Sequence, residues 1–160
     1  MHCESCHSGG SAHARNPKTA ICNPKKLTPS ELNDFCGRCH RPPASEGQTI
    51  DWNYSWNVRH QPVYLSESRC FRLSEGNLSC FSCRDPHEPV SEAKPISAYN
   101  NVCRNCHQGE RRPPKPVCTA EGAGNCVNCH MPQVSPQPPL RFTNHWIGVY
   151  RTGSKLKPAS

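Results

Sequence analysis

The pentapeptide Cys126-Val127-Asn128-Cys129-His130 is one of four copies of the pattern C-x-x-C-H, the others running Cys3–His7, Cys36–His40 and Cys103–His107. No other feature constrains the chain so tightly. Two thiols at this spacing can form thioethers with both vinyl groups of one porphyrin, while the adjoining imidazole reaches its iron. The competing reading is structural zinc, because two C-x-x-C pairs can supply a tetrahedral Cys₄ shell. Such a shell has no use for a histidine after each pair. Each copy is therefore read as a covalent haem c site. Cys3 and Cys6, Cys36 and Cys39, Cys103 and Cys106, and Cys126 and Cys129 are expected to attach four haems. His7, His40, His107 and His130 are the expected proximal ligands.

Four porphyrins would also explain a weak apolar composition. Only 34% of the 160 residues are hydrophobic and mean hydropathy is −0.79, so a conventional core would be thin. A chain of this length is expected to form one domain, residues 1–160, folded around its cofactors, and folding without them is doubtful. The 17 prolines, spread along the whole chain, argue against long helices or a broad sheet. The expected fold is mostly irregular with a few short α-helices, packed around a chain of haems.

The formal charge of +7 does not by itself indicate a polyanionic partner. Four haems carry about eight propionate charges and, when ferric, about four compensating positive ones, bringing the total to roughly +3 oxidised and −1 reduced. Lysines and arginines then mostly balance propionates. With no basic helical stripe and no basic patch interleaved with aromatics, nucleic-acid binding is not expected. Nor does any apolar stretch of about 20 residues suggest a transmembrane helix.

Thirteen cysteines less the eight in complete motifs leave Cys22, Cys70, Cys80, Cys83 and Cys118. So many thiols suit an oxidising compartment, periplasmic or extracellular, and covalent haem attachment outside the cytoplasm implies a leader. Cys70 with Cys118 is the first guess for a disulfide. Cys80-Phe81-Ser82-Cys83 is a fifth attachment-like pair, followed by Arg84 where histidine belongs. Arginine stays cationic and cannot ligate iron. Either the pair has lost its haem or a haem remains with His87 on the iron, and loss is the preferred reading. His87 then becomes a distal ligand for another haem.

Local patterns place the remaining candidates. Gly9 and Gly10 permit a reversal that would bring His13 back to a haem. Thr28-Pro29-Ser30-Glu31 is a helix start, and the helix should run into Cys36, with Leu32 and Phe35 on one face against the second haem, until Arg41-Pro42-Pro43 ends it. Residues 44–50 read as an exposed loop. Trp52, Tyr54 and Trp56 alternate as in an extended segment, packing on porphyrin edges, with His60 inside the stretch as a ligand. A second short helix should lead from Ser97 into His107 and stop at Gly109, followed by an extended Arg111–Pro116 connection. His145, between Asn144 and Trp146, reads as a buried distal ligand.

Taken together, CESCHSGGSAH, FCGRCHRPP, LSCFSCRDPHEP, NCVNCHMP and FTNHW resemble the bacterial multihaem cytochromes with doubled C-x-x-C-H motifs, related to the tetrahaem cytochromes of ammonia oxidisers. These stretches span most of the chain, although Arg84 departs from the family's usual histidine. The resemblance implies bis-histidine haems in close contact on a backbone of little regular structure. His13, His60, His87 and His145 can give each iron a second imidazole, with His2 to spare, so electron transfer is the expected function. The alternative is a fragment or subunit of an oxidoreductase acting on a small nitrogen or sulfur compound. No C-x-x-C-K motif marks an open catalytic haem. The expected partners are redox proteins, and the first haem, attached almost at the amino terminus, should expose an edge. Such an edge suits a periplasmic shuttle or head-to-tail contacts between copies in an electron-conducting filament.

Overall fold

The computed structural model describes residues 2–41, 47, 49–89, 94–108, 118 and 124–159. Within them the chain is short helices joined by irregular segments, with one two-stranded sheet. The helices are α1 (Gly10–Arg15), α2 (Pro29–His40), α3 (Gln61–Ser66), α4 (Arg69–Arg72), α5 (Cys80–Cys83), α6 (Ile96–His107) and α7 (Cys126–His130). Strands β1 (Gln133–Val134) and β2 (Phe142–Thr143) pair antiparallel, Gln133 opposite Thr143. No helix among the described residues is long and apolar enough to cross a membrane.

Gly9 makes the reversal before α1. Its φ is +86° and a Cβ there would lie 2.9 Å from the Ala20 carbonyl oxygen, so only glycine fits. His13 follows on a helix rather than a loop. In α2 the Thr28 hydroxyl accepts from the Glu31 backbone N–H, while the Glu31 carboxylate accepts from the Thr28 backbone N–H at 2.8 Å. This reciprocal cap satisfies two otherwise orphaned donors. The helix ends at His40, with Arg41 at φ 64°. The expected continuations at Pro42, Pro43 and residues 44–46 lie outside the described residues, as do the Gly109 stop and the Arg111–Pro116 connection.

The aromatic stretch departs from expectation. Residues 52–59 form a turn and a 3₁₀ segment, Ser55–Arg59, instead of an extended strand. Asp51 organises the turn: its carboxylate accepts from the Asn53 N–H at 2.9 Å and its carbonyl accepts from the Asn57 side chain at 3.0 Å. Side chains two apart therefore do not alternate between faces. Trp52 instead packs edge-on to Tyr64, with ring centres 5.3 Å apart, and against Trp146 at 4.8 Å. Val58, Val63, Tyr64 and Val134 are buried beside them, flanked by Phe142 and Leu156. Trp52 thus joins a small core built from the chain's own side chains, while Tyr54 is exposed. Leu32 is buried within the protein. Phe35 stays half-buried in a groove, with the Arg38 guanidinium 4.9 Å from its ring centre.

Candidate haem attachment and ligand sites

The helices that carry paired cysteines pack in series. α2 contacts α5, α5 contacts α6, and α6 contacts α7, so the incomplete pair Cys80–Cys83 stands between the second and third complete motifs. At the α2–α5 and α6–α7 junctions the first cysteines are neighbours, Cys80 beside Cys36 and Cys103 beside Cys126, close enough to shift thiol ionisation. Two buried asparagines brace these junctions. Asn33 donates to the Pro62 carbonyl at 2.9 Å and its side-chain oxygen faces the Cys80 thiol at 3.8 Å. Asn100 donates to the Gly124 carbonyl at 2.8 Å and accepts from the Val127 N–H at 3.0 Å. Each asparagine stands three residues before the first cysteine of its motif, a spacing visible in Asn33–His40 and Asn100–His107 and not used in the sequence reading.

These thiols are not equally acidic. The Cys80 thiol hydrogen-bonds Cys36 and the Arg84 guanidinium lies nearby, so Cys36 is held below the ordinary thiol range, whereas Cys80 is pushed up. Burial raises Cys83 and Cys70, and raises Cys103 to about 11. Cys70 faces Cys83 and Cys106 rather than Cys118, which is exposed, and both Cys70 and Cys118 carry free thiols. The expected Cys70–Cys118 disulfide is therefore absent. The complete-motif cysteines are each part-buried or exposed.

Five histidines share one hydrogen-bonding arrangement. The Nδ1–H of His7 donates to the Cys22 carbonyl at 3.0 Å and that of His130 to the Gly148 carbonyl at 2.9 Å. His13 donates to Thr19 at 2.8 Å and His145 to Thr143 at 2.9 Å, again through Nδ1 to backbone carbonyls. His87 differs only in its acceptor, the Asp85 carboxylate 3.1 Å away. The same carboxylate accepts the His87 backbone N–H at 2.9 Å, which is the first cause of its lowered pKa, so it stays an anion. Carbonyl and carboxylate oxygens only accept. The proton is thus fixed on Nδ1 and the lone pair on Nε2, the tautomer that ligating histidines use.

No family model, curated protein or solved structure matches this chain. The likeness to doubled-motif cytochromes accordingly rests on the motifs themselves.

Two of the histidines also face each other. The rings of His7 and His87 lie 6.1 Å apart between centres with their planes only 9° from parallel. Beside His7 opens a cavity of about 550 Å³ lined by Cys3, Glu4, Ala14 and Ile21, within the range of pockets that hold organic cofactors. His145 is half-buried and its pKa is lowered, first by burial and then by the nearby His40. His60 caps the 3₁₀ segment and is lowered by burial, then by Arg41 and Arg59. His40 and His107 end their helices on the surface. A Cys₄ zinc shell needs convergent ligands, yet no three His, Cys, Asp or Glu side chains among the described residues gather around one point.

Proposed function

We propose that the chain is an electron-transfer protein holding four covalent c-type haems, each clamped between two histidines. The observation that carries this reading is the recurring Nδ1–H to oxygen bond, which leaves Nε2 as the nitrogen for a metal at the motif histidines His7 and His130 and at the distal candidates His13, His87 and His145. A histidine that served only to pack would have no need of one tautomer repeated at such separated positions. Cys3 and His7 line one cavity, so thiol and imidazole of the first site address the same space. His87, whose ring lies beside that of His7 and is held by Asp85, is assigned as the second ligand of that site. His40 and His145 are the next pair, His40 being near enough to help lower the pKa of His145. His13 and His60 are the candidates left for the remaining irons.

Each haem, when bound, supplies a one-electron couple at its iron. The chain's part is to keep both axial positions occupied by neutral imidazoles, which excludes a substrate from the metal and favours potentials below those of His/Met sites. Cys3 is exposed and lines an open pocket with His7, where a redox protein or a second copy can approach closely, outside the cytoplasm. Intact mass of the holoprotein, with an absorption spectrum of the reduced form, tests the reading. Four haems and six-coordinate low-spin iron are expected. A chain that leaves a haem-competent periplasm without haem overturns it.

A further inference from the structure

We infer that α5 is a haem-attachment site complete in its thiols and its packing, which lacks only the iron ligand and takes a fifth covalent haem when histidine stands at position 84. The inference rests on the proposed haem chemistry but asks a separate question of it.

The grounds are a repeated arrangement. α2 and α6 are both 12 residues long, and each has a buried asparagine at its fifth position and C-x-x-C-H at its end. Each packs on a short helix made of a C-x-x-C pair, α5 on α2 and α7 on α6. In both pairs the first cysteines meet: Cys36 with Cys80, Cys103 with Cys126. In both the asparagine's side-chain oxygen faces the start of the short helix, at the Cys80 thiol in one and the Val127 N–H in the other. Thus α5 bears to α2 the relation that α7, a complete motif, bears to α6. The turn itself is preserved as well. The Arg84 N–H donates to the Cys80 carbonyl at 3.0 Å, as the His7 N–H donates to the Cys3 carbonyl at 2.7 Å. Residue 84 therefore follows its cysteines as His7 follows Cys3 and Cys6, although its own φ and ψ are extended.

What is missing is chemical. A guanidinium has donors and no lone pair for iron, and His87 is turned towards His7, held by Asp85. Attachment at α5 is an addition: each thiol places sulfur on one vinyl carbon of haem and its hydrogen on the other. No group leaves and no net electrons are transferred. The only co-reactant is haem, which the complete motifs already require.

The test compares holoproteins matured side by side. Arg84→His should gain the mass of one haem over the wild-type chain, and adding Cys83→Ser to it should abolish the gain. The reciprocal variant, His130→Arg, gives α7 the residue that α5 has and should lose one haem. An unchanged haem count in Arg84→His, an extra haem that survives Cys83→Ser, or full loading of His130→Arg each overturns the inference. So does a wild-type chain that already carries five. Wild-type protein with no haem sinks the proposed function instead, which keeps the two failures distinct. If Arg84→His does not accumulate, His130→Arg decides alone.

Discussion

Asp85 orients the candidate ligand His87, and its removal should be felt at a single site. His87→Ala is expected to convert one haem in four from low to high spin by electron paramagnetic resonance, with the haem count by mass unchanged, because attachment depends on the cysteines. A spectrum that stays wholly low-spin would free His87 from the first site. Asp85→Asn keeps the imidazole but weakens its anchor, so a shift in one haem's spectrum or potential without a change of spin state is expected. Tyr64 offers a test independent of haem. It is fully buried, its hydroxyl finds no partner among the described residues, and burial with the nearby Asp51 charge pushes its pKa up to about 12. An unfolded tyrosine ionises near ~10. Between those values the unfolded chain loses its proton first, so stability falls as pH rises from about 10 to about 12. Tyr64→Phe should flatten that fall in alkaline denaturation, while costing nothing or gaining about 1 kcal/mol at neutral pH, since an unpaired buried hydroxyl is removed. A marked loss at neutral pH would mean that the hydroxyl has a partner.

Among the elements, α2 shows what sequence makes plain. Thr28, Pro29 and Glu31 state the start of the helix in side-chain chemistry, and the reciprocal cap is there. Thr28→Ala should cost about 0.5–2 kcal/mol in denaturant unfolding, the usual effect of losing an N-cap, and a smaller change would mean that packing on α3 fixes the helix alone. The stretch from Trp52 to Trp56 shows the opposite case. Three aromatics at a spacing of two read as a strand, but Asp51 bends the backbone through bonds that the aromatic pattern does not register. The junction asparagines lay between these extremes. Their spacing to the cysteines is legible, but their purpose appears only when α5 and α7 are seen beside them. Asn100→Ala should cost about 1–3 kcal/mol, the penalty for leaving buried amide partners unpaired. Its effect should concentrate at α7, read as faster amide exchange at Val127 than in α2.

At the scale of the whole molecule, the row α2, α5, α6, α7 places paired cysteines at every step, and four of the five pairs in the chain are complete. Intact mass should therefore count four haems, and a count of five would show that Arg84 does not prevent loading. The composition pointed to a thin core, and the described core is small, yet it is built by Tyr64, Val58, Val63 and Val134 rather than by cofactors alone. Some order should consequently survive in the haem-free chain around Tyr64 and Trp146. Near-ultraviolet dichroism of apoprotein checks this, and a flat aromatic signal would return folding entirely to the haems. The candidate ligands were legible as a list, because histidine is scarce and its neighbours are suggestive. Their pairing was not, since His7 and His87 are brought together by the path of the chain and by no local pattern.

The acceptors that hold the histidine rings carry a consequence for how such a chain can drift. At His7, His13, His130 and His145 the acceptor is a backbone carbonyl, belonging to Cys22, Thr19, Gly148 and Thr143. A carbonyl belongs to every residue type, so these four positions can change identity while the ring stays aimed. The constraint falls on the path of the main chain and leaves the letters almost free. At His87 the same task is given to a side chain that one nucleotide change can delete. A saturation library read by haem spectrum should accordingly tolerate most residues at 19, 22 and 143 and very few at Asp85.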